Sequence, residues 1–165
     1  MTREDDIKRI IAQEQGLIFR LFDEAIAFSL GMRVRERALN DGLGLVCDVR
    51  TWDRPLFYTA LPPTTGDNQH WVRRKYNLVQ RVSKSSYRVV LENTSGVDHF
   101  LPRRGLDNEN FVLAGGGFPI CVRGAGMIGC LTVSGLHERD DHAVAVDAIC
   151  DELGLDRKEF ALPKA

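Results

Sequence analysis

An α+β fold, with an antiparallel sheet covered on both faces, is predicted by three observations. The stretch Phe111 to Leu136, FVLAGGGFPICVRGAGMIGCLTVSGL, holds two short runs rich in Val, Ile and Phe. These runs, Phe118 to Val122 and Met127 to Val133, are joined by Arg123-Gly124-Ala125-Gly126, a glycine-containing loop of the kind that closes a hairpin. Both runs are apolar at successive positions, so both sides of the sheet are buried and helices must cover each face. Helical patterns come before and after the hairpins instead of alternating with single strands, which separates α+β from α/β.

Taken in order, Thr2 with Asp5 three residues on opens a first helix, since short polar side chains and acids satisfy the free amides of a first turn. Ile7, Ile10 and Ile11 continue its stripe to Gly16. Leu17 to Phe19 reads as a short strand, and a second helix spans about Leu21 to Ala38 before the turn Asn40-Asp41-Gly42. Leu43 to Val49 and Pro55 to Ala60 form the first hairpin around a turn at Arg50 to Arg54. Prolines 62 and 63 then prevent the sheet from continuing. Asp67 is expected to cap a third helix reaching Ser83, whereas Ser85 to Leu91 fits either helix or strand. Asn93 to Asp107 reads as an exposed irregular connection. The last long helix begins near Asp140 and ends at Gly154, and Asp156 caps a terminal turn.

A chain of 165 residues is most economically one domain, 1–165, with a real core. Its net charge of -1 excludes a general nucleic-acid binder, which needs a basic surplus to displace counterions. No run approaches membrane-spanning length, and MTREDDIKRI has no apolar signal-peptide core. Cys47, Cys121, Cys130 and Cys150 show no C-x-x-C pair and read as small buried hydrophobes, so a reducing cytoplasm is the expected location.

The helix DNQHWVRRKYNLVQRV, Asp67 to Val82, carries the most chemical information. At about 100° per residue, Trp71, Val72, Leu78, Val79 and Val82 share one face. Lys75 falls in the middle of that face, so its ammonium must either snorkel to water or find a partner. One reading packs its stem on Trp71; the other aims it into a pocket, to bind a carboxylate or to titrate at lowered pH. Of the neighbouring cations only Arg74 and Lys75 are close enough to share an anion. Gly115 to Gly117 likewise have two readings: a tight turn with positive φ, or bare backbone amides against a flat or anionic ligand. Neither G-x-G-x-x-G nor a P-loop accompanies them. His70, His99, His137 and His142 lack zinc-site spacing and read as surface or structural residues, although one histidine over an apolar slot suffices as an axial haem ligand. Ser134 lies in V-S-G-L, not G-x-S-x-G, and Asp140-Asp141 has a structural reason to sit in a first helical turn, so no nucleophile, base and orienting group occur together.

The segments Leu113 to Ile149, LAGGGFPICVRGAGMIGCLTVSGLHERDDHAVAVDAI, and Asp67 to Tyr87, DNQHWVRRKYNLVQRVSKSSY, resemble the GlcG and HbpS-like family, often labelled a haem-degrading domain. The second segment is similar to its branch of small uncharacterised bacterial and yeast proteins. The resemblance covers essentially the whole chain and implies a profilin-like core of about five antiparallel strands with helices on both faces. It also implies homo-oligomers, from dimers to larger rings. Some relatives bind haem, and the resemblance assigns their haem-binding histidines to no particular one of His70, His99, His137 and His142.

Together these readings lead to a cytoplasmic, homo-oligomeric, small-ligand-binding protein. The expected pocket lies at a subunit boundary and is lined by Trp71, Arg74, Lys75, Gly115, Gly116, Gly117 and Pro119. Haem is the candidate that the resemblance supplies, and a carboxylated metabolite suits the basic residues equally. The alternative is an oligomeric interaction protein that uses the aromatic face around Trp71 as an interface.

Overall fold

The computed structural model describes residues 2–93 and 102–163. Five strands form one sheet: β1 (Ile18–Phe19), β2 (Val46–Thr51), β3 (Pro55–Ala60), β4 (Gly117–Val122) and β5 (Gly126–Ser134). Their spatial order is β1-β4-β5-β2-β3. The helices are α1 (Arg3–Gly16), α2 (Glu24–Asp41), α3 (Gly66–Val82), α4 (Ser86–Glu92), α5 (Glu138–Leu153) and α6 (Arg157–Phe160). Both expected hairpins are present, β2 with β3 and β4 with β5, and they join antiparallel through β2 and β5. The sheet is mixed, however, because β1 pairs parallel to β4 through Ile18 with Cys121 and Phe19 with Val122. A two-residue strand carries too little pattern to announce its direction. It also stops short of Pro119, so the proline, which has no N–H to donate, lies where β4 has no neighbour on that side.

Strand alternation sorts the two faces. Cys47, Val49, Phe118, Ile120, Leu131 and Val133 point to the side covered by α2 and α5, where Leu30, Val34, Ala145 and Ile149 complete a core with almost no exposed surface. The opposite side, beneath α3, sets the polar Asp48, Arg50, Thr132 and Ser134 among the buried Val46 and Cys130. A smaller cluster of Leu78, Val89, Leu106 and Leu113 packs behind α3.

The Thr2–Asp5 capping box forms as the sequence suggests. At α3 the expected cap moves by two residues: Thr65 is the N-cap, and the Asn68 side chain closes the box by accepting from the Thr65 backbone N–H at 2.9 Å. Ser85 to Leu91, ambiguous in sequence, is resolved as α4 after the N-cap Ser85. The last long helix starts at Glu138 with His137 as its cap. Most of the connection expected from Asn93 to Asp107 lies outside the described residues, as does His99.

Candidate functional site

The most amphipathic position in the sequence, Lys75, is 3% exposed and has found a partner. Its Nζ donates to Asp141 Oδ2 at 2.9 Å and to the Val133 carbonyl at 3.1 Å. Asp141, 2% exposed, also accepts from the Leu136 N–H at 3.0 Å, so one carboxylate ties α3 to the β5–α5 corner. Burial pulls the Lys75 ammonium below its usual range against the pull of Asp141, and burial pushes the Asp141 carboxyl up against the pull of Lys75. The pair borders a cavity of 290 Å³ whose walls include Trp71, Asn68, Ser134 and Glu138.

Of the residues expected to form a pocket, Trp71 and Lys75 line this cavity. Arg74 does not; its guanidinium lies 5.0 Å from the Trp71 ring centroid and its Nε donates to the Phe111 carbonyl. The three glycines sit behind Lys75 with their backbone groups engaged. Gly115 N–H donates to Glu138, Gly117 N–H donates to Ser86 Oγ, and the Gly116 carbonyl accepts from Val133 N–H. Gly116 has φ of 121°, and a Cβ there would lie 2.2 Å from the Val133 oxygen and 3.0 Å from Lys75 Nζ. Backbone geometry and close approach therefore both require glycine at 116. Pro119 is buried in β4, away from the cavity. The apolar side chains of α3 are closed within the chain: Val72 and Val79 are buried, Val79 against Gly117 of β4, and Leu78 packs with Val89, Leu106 and Leu113.

A second cavity, of 330 Å³, lies on the other flank of α3 and was not anticipated from the sequence. Its floor is the Asp48–Arg50 ion pair, bidentate at 2.7 and 2.9 Å, with the guanidinium 3.8 Å above the Tyr76 ring centroid. Burial raises the Asp48 carboxyl, and Arg50 opposes it. Pro55, Tyr58, His70 and Arg73 complete the wall. Arg50 is already paired with Asp48, and Arg73 donates to Asn110 Oδ1 at 2.7 Å and to the Glu109 carbonyl at 2.8 Å without a carboxylate partner among the described residues. The lining therefore carries one uncompensated positive charge and, unlike that of Lys75, favours an anion. A signal for it was present: in VCDVRT, Asp48 and Arg50 are two apart and must share a strand face opposite Cys47 and Val49.

The histidines separate cleanly. His70 is exposed at the cavity rim. His137 caps α5, its Nδ1 accepting from the Arg139 N–H at 3.4 Å. His142 is fully buried between Tyr87 and Phe118. Its Nε2 donates to Gln13 Oε1 at 2.8 Å, and Nδ1 has no partner among the described residues. Burial lowers its pKa to about 3, with Arg139 adding to the shift. All four cysteines are free, and burial pushes the Cys130 thiol up to about 12, so it is inert. Among the described residues no group of three or more His, Cys, Asp or Glu could hold a bare metal ion, and no helix is long and apolar enough to cross a membrane.

Comparison with known proteins bears on the same architecture. A UPF0303 protein of Mesorhizobium japonicum is 49% identical over 162 residues, covering 98% of this chain and 97% of the relative. The crystal structure of the Ybr137w protein superposes with a TM-score of 0.84 at 22% identity, covering 92% of each chain. That of a PduOC:heme complex superposes with a TM-score of 0.64 at 17% identity, covering 78% of this chain and 93% of the other. At such identities the structures show a shared fold. The pattern of the haem degrading protein HbpS-like family matches residues 22–150, and with the near half-identical relative this places the chain as a member of the HbpS-like family.

Proposed function

We propose that this protein binds a flat, negatively charged small ligand in the cavity between α3 and the β2–β3 hairpin. The carrying observation is the floor of that cavity, a guanidinium stacked on Tyr76 beside the exposed imidazole of His70. Tyr58 and Pro55 offer apolar wall to a planar ring, and Arg50 and Arg73 offer cations to carboxylates. Haem belongs to this class and is the ligand that the family name and a heme-bound structural neighbour suggest. The residues present fit it: His70 would hold the iron and Arg73, whose charge no carboxylate offsets among the described residues, would hold a propionate, whereas His142, sealed in the opposite layer, would not take part. Bound haem would supply redox-active iron. A carboxylated metabolite would use the same cations without His70. The expected compartment is the cytoplasm, in keeping with four free cysteines.

The test is a haem titration of the purified protein in the Soret region, beside His70→Ala and His137→Ala. Saturable binding lost in His70→Ala alone supports the reading. Weak binding that is equal in all three proteins, with no thermal stabilisation by a panel of carboxylates, overturns it; a ligand at a hundred times its Kd would add about 2.7 kcal/mol.

A second reading, self-association, is favoured by the outer side of α2. Phe28 is 58% and Leu39 53% exposed on one helical stripe, and Phe28 meets Phe57 of the edge strand β3 edge-on. A second copy would cover this surface. Sedimentation of wild type and Phe28→Asp should show an oligomer that the variant loses; a wild-type monomer refutes it.

A further inference from the structure

We propose that Lys75 is a carbonyl-capturing amine, and that the cavity between α3 and the start of α5 admits a small uncharged aldehyde to it. This goes beyond the anion site, which occupies the other flank of α3.

The geometry supplies each part. Nζ stands at the wall of a 290 Å³ cavity, with room for a molecule of a few carbons. Two of its N–H groups are committed, to Val133 O and Asp141 Oδ2, and no third partner is found among the described residues. Behind Nζ, outside the cavity lining, Gly116 leaves the ammonium room where a side chain would stand 3.0 Å from the nitrogen. Asp141, at 2.9 Å, is placed to take and return a proton. Burial acts on the two groups in opposite senses, lowering the ammonium and raising the carboxyl, which brings their proton affinities together. Ser134, 4% exposed, adds a hydroxyl to the lining. The charges select the class of carbonyl. Asp141 and Glu138 oppose a single ammonium, so a keto acid is repelled and a neutral aldehyde is not.

The step balances within the site. The Lys75 ammonium passes one proton to Asp141, and the freed lone pair forms a C–N bond as the carbonyl π bond breaks. Asp141 relays a proton from nitrogen to the new alkoxide, giving a carbinolamine. It then protonates the hydroxyl, which leaves as water while the nitrogen lone pair closes the C=N bond. Ammonium and aldehyde have become iminium and water, and Asp141 is again a carboxylate. The iminium carries a positive charge beside the regenerated Asp141 carboxylate, so the step ends, as it began, with a buried charge pair.

Reductive trapping tests this. The folded full-length protein is treated with propanal and cyanoborohydride at about pH 6.5, where an ordinary lysine is almost wholly protonated, and the alkylated peptides are quantified by mass spectrometry. Lys75 should be labelled faster than the surface residues Lys8 and Lys158, and the preference should vanish in urea. Asp141→Asn should slow labelling of Lys75 by about a hundredfold and leave Lys8 unchanged. Glyoxylate should label Lys75 more slowly than propanal. Labelling of Lys75 no faster than of Lys8 in the folded wild type overturns the proposal without recourse to any variant. Equal labelling by glyoxylate overturns the assigned class.

Discussion

His142 offers the sharpest test of the packing between α1, α5 and the sheet. Its ring is fully buried and its pKa is lowered to about 3, while the unfolded chain holds it near 6.5. Above pH 6.5 both states are neutral and the buried ring costs nothing in protonation. Between about pH 6.5 and 3 the unfolded chain takes up a proton that the folded one refuses, so stability falls with pH. Each pH unit well inside that window removes about 1.4 kcal/mol and the first unit below pH 6.5 somewhat less, so about 2.3 kcal/mol is lost between pH 6.5 and 4.5. Carboxylates titrate over part of the same range, so the informative quantity is a difference. Urea unfolding of wild type and His142→Gln should be followed by tryptophan fluorescence at half-unit steps from about pH 7.5 to 4.5. The amide of glutamine can still donate to Gln13 but cannot charge. The variant should lose about 2.3 kcal/mol less than wild type between about pH 6.5 and 4.5. Parallel pH profiles would mean that His142 is hydrated or otherwise charge-tolerant, and the burial argument would fail.

Two further outcomes follow from the neighbouring site. Lys75→Met or Asp141→Leu alone should cost about 3–5 kcal/mol, because each strands a buried charge. The double substitution should cost less than the sum of the two, and additive values in urea unfolding would refute the pair as a coupled unit. Gly116→Ala should destabilise by about 2 kcal/mol or more, since positive φ and a 2.2 Å approach to the Val133 oxygen act together. A thermal melt within a degree of wild type would contradict that geometry.

The sequence showed both hairpins and the long helices because their signals are local: glycine loops, alternation and caps lie within a few residues of what they determine. The direction of β1 was not legible, because two residues have no periodicity and the partner strand begins about a hundred positions later. Lys75 could be recognised as needing a partner, but not which one. Asp141 lies 66 residues away, and any of several acids would have served on sequence grounds. The glycine triplet was legible as punctuation and less so as a binding surface, since the Gly115 and Gly117 amides are taken by Glu138 and Ser86 through the fold. The cavity floor was missed for a different reason. Asp48 and Arg50 read as the end of one strand and the start of a turn, whereas β2 continues through both to Thr51.

Helix α3 supplies a wall to each of the two cavities, His70 and Tyr76 to one and Trp71 and Lys75 to the other. A rod shared in this way couples the two flanks whenever an occupant displaces it. An occupant that rolls or lifts the helix on one side changes the affinity on the other, and the factor is the same whichever ligand arrives first. The salt link from Lys75 to Asp141 anchors one flank of that rod to α5, so occupancy of the anion cavity would be read out at the amine by whether this tether holds.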